Sequence, residues 1–334
     1  MNTPTISRDV ARRLRRTFAS GFSLVELMVA MAIGLVLLGV VGSIFVASKG
    51  VFVSSDQRSR LNESMRLVSE TMGVQIRQAA YYDMANTTAN VPTPVTFEQA
   101  ADSGVTGIIP IFACSDGRVN FTSIPWRCTA NSNPAGVLPS DAIAVSFQNQ
   151  PSSNLVVNSS LLAFSNGFGG DCAGQNPMPT PAIAASTMPV NIPIAISEFF
   201  ISRNVITTQG GTSVNIPELS CRGNGNPGVS QPLAQGIEQI RARFYVIDSD
   251  PGGFGQMTRL TDIAGVAGDW GKVYGVQLCL LTHSPANAWS TGLVATFTDC
   301  DGNVWPSPDT RLRKVNQLTI TLRNRVNTAS ALPH

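Results

Sequence analysis

Apolar positions along the chain fall into three textures. Residues 27–47 hold no charged side chain, and apolar residues cover every face of a helix drawn through them. A run of roughly 20 residues at about 1.5 Å per residue is long enough to cross a bilayer. From Leu61 onward the apolar residues narrow to one stripe. Leu61, Met65, Val68, Met72, Ile76 and Ala79 recur at three- and four-residue steps, the period of an amphipathic helix. Arg58, Arg60, Glu63, Arg66, Glu70 and Arg77 lie mostly off it. No proline occurs between Pro4 and Pro92, so residues 22–80 are expected to form one helix, about 85–90 Å long if unbroken. Gly34, Gly39 and Gly42 lower its local propensity but permit close helix approach.

After position 236 the period becomes two. Strands are expected at 237–248, 272–282 and 312–326. In the last, Leu318, Ile320 and Leu322 alternate with Thr319, Thr321 and Arg323, which gives one buried and one wet face. The middle is less regular. Residues 81–140 carry Pro92, Pro94, Pro110, Pro125 and Pro139 and read as irregular. Short strands at 142–148, 155–164 and 192–206 follow, joined by Gly/Pro/Ser-rich connections. Turns are expected at 223–228, 248–253 and 299–303, and no internal repeat is present.

Charge changes this picture at the N-terminus. Arg12, Arg13, Arg15 and Arg16 precede the apolar run, and one carboxylate, Glu26, stands just inside its start. A charge costs on the order of 2.5–3.5 kcal/mol at a bilayer centre and less near its edge, so Glu26 asks for a partner. Arginines before the run, with no comparable cluster immediately after it, place the N-terminus inside and the bulk outside. The formal net charge is +2, and the first residues hold much of the positive charge. The remainder is near neutral, so bulk electrostatics give no reason to expect nucleic acid as a partner. Charged residues make up 13% of the chain, below the usual quarter. Between Tyr82 and Gln235 Asn, Ser, Thr, Gly and Pro carry the polarity, which suits an exported, loop-rich β surface better than a cytoplasmic enzyme.

Six cysteines are present: Cys114, Cys128, Cys172, Cys221, Cys279 and Cys300. None forms C-x-x-C, which weakens zinc and thioredoxin-type readings. An even count beyond a membrane segment suits disulfides in an oxidising compartment, although buried free thiols remain the alternative. Six cysteines allow 15 pairings. The working expectation pairs neighbours: Cys114 with Cys128, Cys172 with Cys221, Cys279 with Cys300. Closing a loop the size of the first stabilises by about 3 kcal/mol.

Motifs for chemistry are few. Gly223 to Gly228 matches G-x-G-x-x-G, but Pro227 interrupts it and no helical pattern follows, so it reads as a turn and not a dinucleotide loop. Gly271-Lys272 lacks the rest of a phosphate-binding loop. Asp248, Asp250 and Gly253 open like a calcium loop, but position twelve is Arg259, which removes the bidentate ligand. These residues, and Asp299, Asp301 and Asn303, read as Asx turns. The histidines are His283 and His334, so a Ser-His-Asp triad would have to use His283. Carboxylate spacing marks no acid–base pair. Trp126, Trp270, Trp289 and Trp305 are scattered and read as buried anchors. No catalytic residue, metal ligand or cofactor is expected.

Gly21-Phe22-Ser23-Leu24-Val25-Glu26 with the apolar run behind it resembles the class III leader of type IV prepilins and pseudopilins. The resemblance implies cleavage after Gly21 by a prepilin peptidase, N-methylation of Phe22, and pairing of Glu26 with the terminal amine of a neighbouring subunit. Two export signals compete: a twin-arginine reading of Arg15-Arg16-Thr17-Phe18, and a secretory signal cut near Ala47 or Ser48. Both would remove the apolar segment. Further on, residues 235–248, 274–281 and 311–325 are similar to minor pilins of the PilW type. Many major pilins carry a proline in the N-terminal helix, and this chain has none there.

The resemblance implies an α+β protein of type IV pilin-like fold, with a long N-terminal helix packed on an antiparallel β-sheet. It divides the chain into a removed leader (1–21), a transmembrane half-helix (22–48), an amphipathic half-helix (49–80), a loop- and β-rich region (81–235) and a C-terminal antiparallel region (236–334). An enlarged, disulfide-stapled head would stand in the periplasm, above an inner-membrane anchor or in a filament. The implied role is a low-copy minor pilin that primes or caps a type IV pilus. Its partners would be major and minor pilins, the prepilin peptidase, the inner-membrane assembly machinery and membrane lipid. The alternatives are a minor pseudopilin of a type II secretion system, an anchored ligand-binding or adhesive module, and an anchored hydrolase.

Overall fold

The computed structural model describes residues 23–80, 109–123, 126–130, 138–148, 170–175, 194–207, 213–249, 256–266, 270–287 and 295–322. Gly21, Phe22, Trp289 and the strand expected at 155–164 lie outside the described residues, as does most of the turn expected at 248–253.

One helix, α1 (Leu24–Gln78), runs unbroken for 55 residues. It stops at Ala80, whose φ of 63° is left-handed and cannot continue a right-handed helix. The Ala80 N–H turns instead to the Ser146 carbonyl at 3.1 Å. By its contacts the chain separates into two compact units, residues 1–52 and 53–334. In the first, every large apolar side chain from Leu24 to Phe52 is at least 50% exposed. In the second, Leu61, Met65, Val68, Met72, Ile76 and Ala79 are buried and enter the core.

The second unit holds two main sheets. The five-stranded one follows the order β1-β4-β5-β6-β7. Its strands are β1 (Ile111–Cys114), β4 (Ala142–Gln148), β5 (Ile194–Thr207), β6 (Ser213–Gly223) and β7 (Ser230–Gln235). The short hairpin β2 (Gly117–Asn120) and β3 (Arg127–Ala130) stands beside it. The four-stranded sheet follows the order β13-β10-β8-β9, from β8 (Ile237–Ser249), β9 (Gln256–Thr261), β10 (Val273–Asn287) and β13 (Arg311–Thr321). A ribbon of β11 (Thr296–Thr298) and β12 (Val304–Pro306) precedes β13, and a four-residue helix, α2 (Ile263–Val266), follows β9. All the pairings are antiparallel.

The chain passes from one sheet to the other at Gly236. Its N–H bonds the Pro217 carbonyl of β6 at 2.8 Å, and its carbonyl takes the His283 N–H of β10 at 2.8 Å. Its φ is +83°, and a Cβ there would lie 2.7 Å from the His283 carbonyl oxygen. Only glycine fits that joint. Both sheets and the α1 stripe meet in one core, with Phe147, Phe199, Phe244 and Met72 among its largest enclosed side chains.

Three differences from the sequence reading follow. Within 111–130, expected as irregular, lie β1, β2 and β3; each strand has four residues and is held by pairing, and a disulfide joins β1 to β3, without a run long enough to show a period. Residues 213–235 form the β6–β7 hairpin, hidden by Pro217, Glu218 and the polar β7. The turn expected at 299–303 is flanked by the β11–β12 ribbon.

Candidate functional site

At the N-terminus of α1 the Ser23 N–H donates to Glu26 Oε2 at 3.4 Å, and the Leu27 N–H donates to the Ser23 carbonyl at 3.1 Å. Ser23 followed three residues later by Glu26 is thus one arm of a capping box. The carboxylate stands among exposed apolar side chains, with Val25 at 66% and Val29 at 52% exposure. Within the described residues it meets no cation, so its charge is available to one brought by another chain.

Charged groups of the second unit are mostly paired with each other. Glu198 is fully buried in β5 and accepts from Arg118 Nε at 3.1 Å, Arg118 Nη2 at 3.2 Å, Arg222 Nε at 2.8 Å and the Val119 N–H at 2.7 Å. Arg118 lies over the Phe200 ring and Arg222 over the Phe121 ring. A carboxylate so enclosed holds the β2–β3 hairpin to the large sheet and has no free lone pair for base chemistry. The sequence reading passed over it; the available signal was a lone acid inside the apolar run of β5. Asp141 bonds the Ala242 N–H and Arg241, both at 2.9 Å. Burial still pushes its carboxyl above the usual range. In the C-terminal sheet Arg313 donates to both oxygens of Glu238 at 2.9 Å and to Asp309 at 2.7 Å.

Nor do the candidate chemical residues assemble. His283 is buried; its Nδ1 lies 2.8 Å from the Ser284 carbonyl, and its Nε2 lies 3.3 Å from Arg311 Nη1. That arrangement suits a neutral ring with the proton on Nδ1. Burial lowers its pKa from 6.5, and the cations Arg311 and Arg313 add to the effect. Asp299 accepts from the Asp301 and Asn303 N–H groups, from Asn303 Nδ2, and from Trp305 Nε1 at 2.8 Å. Burial pushes this carboxyl up, but those donors, the indole first, hold it below the usual range. The Asx turn has therefore filled the carboxylate that a cation would need. Asp248 and Arg259 form an ion pair at 2.9 Å. Among the described residues no group of His, Cys, Asp and Glu is placed to hold a metal.

The six cysteines form Cys114–Cys128, Cys172–Cys221 and Cys279–Cys300. The first ties β1 to β3, the second ties the 170–175 loop to β6, and the third ties β10 to the turn between β11 and β12. Trp126 and Trp270 are buried beside Phe112 and Phe244. Trp305 departs from the expected anchor role, since it is 42% exposed.

Two stretches of the chain match known families. Residues 16–42 match the prokaryotic N-terminal methylation motif, and residues 198–324 match the family described as type IV pilus-assembly protein W. The chain joins a prepilin-type N-terminus to a PilW-type domain. The first match covers the leader junction, Glu26 and much of the apolar run; the second covers both sheets from β5 to the end of β13. The PilW-type chain thus belongs with structural subunits of pilus assembly, is anchored to the membrane by its N-terminal apolar helix, and has pilins and pilus machinery as partners. No curated protein matches it. Among solved structures it is similar to the type IV-like pilin TTHA1219 from Thermus thermophilus, with 11% identity, 80% of this chain and 97% of that one covered, and a TM-score of 0.33. So distant a likeness bears on neither mechanism nor partners.

Proposed function

We propose that the chain is a minor pilin that enters a type IV pilus at low copy and helps to prime or cap its assembly. The observation that carries this reading is the union of a prepilin-type N-terminus with a PilW domain in one chain. The prepilin peptidase cuts after Gly21, and the new terminal residue Phe22 is N-methylated. The cluster Arg12 to Arg16 keeps the N-terminus cytoplasmic, and the disulfide-bonded head stands in the periplasm. A head of about 250 residues has a radius of gyration near 18 Å and would crowd a filament wall if repeated at every position. This favours a tip or priming place. The role is assembly and not catalysis, in keeping with carboxylates and a histidine that are already bonded.

Glu26 is the assembly residue. In a filament the apolar helices pack against one another and exclude water, and an unpaired carboxylate there bears its desolvation cost alone. The Phe22 amine of an adjacent subunit neutralises it and donates hydrogen bonds, and one stagger alone brings the two charges together. Glu26→Ala is therefore expected to be cut, inserted and folded, yet to enter or prime filaments poorly. The measurement compares mature protein in membranes with its amount in sheared filaments and with pili per cell. Normal piliation by the alanine variant would make Glu26 an incidental charge. Loss of protein secretion with intact pili would move the chain to a type II secretion system.

A further inference from the structure

A cleft of about 420 Å³ opens where the β11–β12 ribbon meets the start of β13 and the middle of β5. Its size falls within the roughly 300–1,000 Å³ of small-molecule sites. Its lining includes the aromatic rings of Trp305 and Phe297 and the charged side chains of Arg203, Arg311, Glu238 and Asp309.

The charges do not balance. Arg313 spans Glu238 and Asp309 and uses both oxygens of Glu238. Among the described residues the Arg311 guanidinium keeps only a 3.6 Å approach to Asp309 and the 3.3 Å contact with His283 Nε2. Among the described residues Arg203 has no hydrogen-bond or ion-pair partner, although it is half-buried. Burial lowers its pKa, and Glu238 compensates only through space. Among the described lining residues, three guanidinium groups and two carboxylates, beside a neutral imidazole, leave one positive charge unanswered.

The aromatic wall is fixed in advance. The Trp305 indole N–H is bonded to Asp299, whose carboxylate is itself held by the backbone of its own turn. The Cys279–Cys300 bridge ties that turn to β10. The ring is therefore held in one orientation, its donor is used, and it is still 42% exposed. A held, exposed indole beside an unpaired cation is suited to stacking on one part of a ligand while an anionic part meets the arginine.

The geometry points to a binding site for an acidic sugar of the hexuronate class, its ring stacked on Trp305 and its carboxylate paired with Arg203. Sugar hydroxyls donate to the remaining lone pairs of Asp309 and Glu238. A peptide carboxylate would need an enclosed apolar end for its side chain, whereas this cleft is lined by Arg203, Arg311, Glu238 and Asp309 as well as by its aromatic rings.

The test is calorimetric titration of full-length protein in detergent with glucuronate, digalacturonate, glucose and N-acetylphenylalanine. Uronates are expected to bind at least about tenfold more tightly than glucose, the discrimination of one charge-assisted hydrogen bond. Arg203→Gln should abolish that preference, and it removes no hydrogen bond among the described residues. Trp305→Ala should weaken uronate and glucose by a similar factor, and Trp305→Phe, which keeps a ring, should restore part of it. Equal affinity for glucuronate and glucose, an unchanged preference in Arg203→Gln, or no uronate binding would overturn the proposal. Binding of N-acetylphenylalanine without uronates would do the same, and would assign the cleft to a peptide partner.

Discussion

The two halves of α1 are built from the same kinds of residue and present different surfaces. From Leu24 to Phe52 the large apolar side chains point all round the axis and stand at least 50% exposed. From Leu61 to Ile76 they gather on one stripe that is buried in the core. The outer face there carries the pairs Arg60–Asp56 and Arg66–Glu70. Such exposed pairs are screened by solvent and add little, so the burial of the stripe, and not its charges, fixes the second half. The first half has no such burial among the described residues. Its apolar surface requires an apolar surrounding supplied by lipid or by other helices, which is what anchoring and filament entry would provide.

Placing a charge in each half separates them most strongly. Met72 is fully buried, so Met72→Asp leaves an unpaired carboxylate in the core, at a cost above about 4 kcal/mol, a large part of an ordinary domain's 5–15 kcal/mol. The second unit should lose its near-UV circular dichroism. Val41→Asp should leave that signal intact and instead lower the membrane-inserted fraction, since a carboxylate at mid-bilayer costs about 2.5–3.5 kcal/mol. Equal damage to both signals by both variants would erase the distinction. Alanine gives a milder version of the contrast. Met72→Ala should lower unfolding free energy by about 2–5 kcal/mol in urea titrations. Leu38→Ala, at a site 69% exposed, should stay within about 0.5 kcal/mol.

Sequence patterns exposed this contrast because both helix signals are local. The α1 stripe and the strands β8, β10 and β13 were legible for the same reason: each runs long enough to display its period. Leu318 and Ile320 alternate with exposed Thr319 and Thr321 as one buried face requires. The five-stranded sheet was less legible. β3 is exposed throughout, and β7 is largely so. Both are strands because of what they pair with, a cause that lies elsewhere in the chain. Glu26 was legible because its neighbours in sequence form its motif. The cleft was not, because Arg203, Phe297, Trp305 and Arg311 are brought together only when the chain crosses between sheets at Gly236. Trp305 misled for a related reason. Its side chain reads as core material, but β12 is half of a two-stranded ribbon that leaves the ring 42% exposed.

Acid should produce the smallest effect and should act on the second unit alone. In the described part of the first unit the side-chain ionisable groups are Glu26 and Lys49, whereas the groups with shifted titration lie in the second. His283 has the informative window. Burial lowers its pKa below 6.5, reinforced by Arg311 and Arg313 and opposed by the Ser284 carbonyl and Glu238. The folded state therefore prefers the neutral ring, while the unfolded chain takes up a proton near 6.5. Its contribution is full above that pH and is lost as pH falls from 6.5 toward the lower folded value. Asp299 and Asp309 are also depressed, but from 3.8, so their contributions are lost only under stronger acid. Asp141 runs the other way: its raised carboxyl favours the protonated fold, so acid in the window just above 3.8 returns stability. Between pH 7.5 and 5.5 His283 should thus set the sign, and the urea midpoint of the second unit should fall. In His283→Gln, which cannot titrate, the midpoint should stay level over that interval, whatever its absolute value. A wild-type midpoint that does not move, or a glutamine variant that falls just as far, would show that the buried imidazole is not the group acid acts upon.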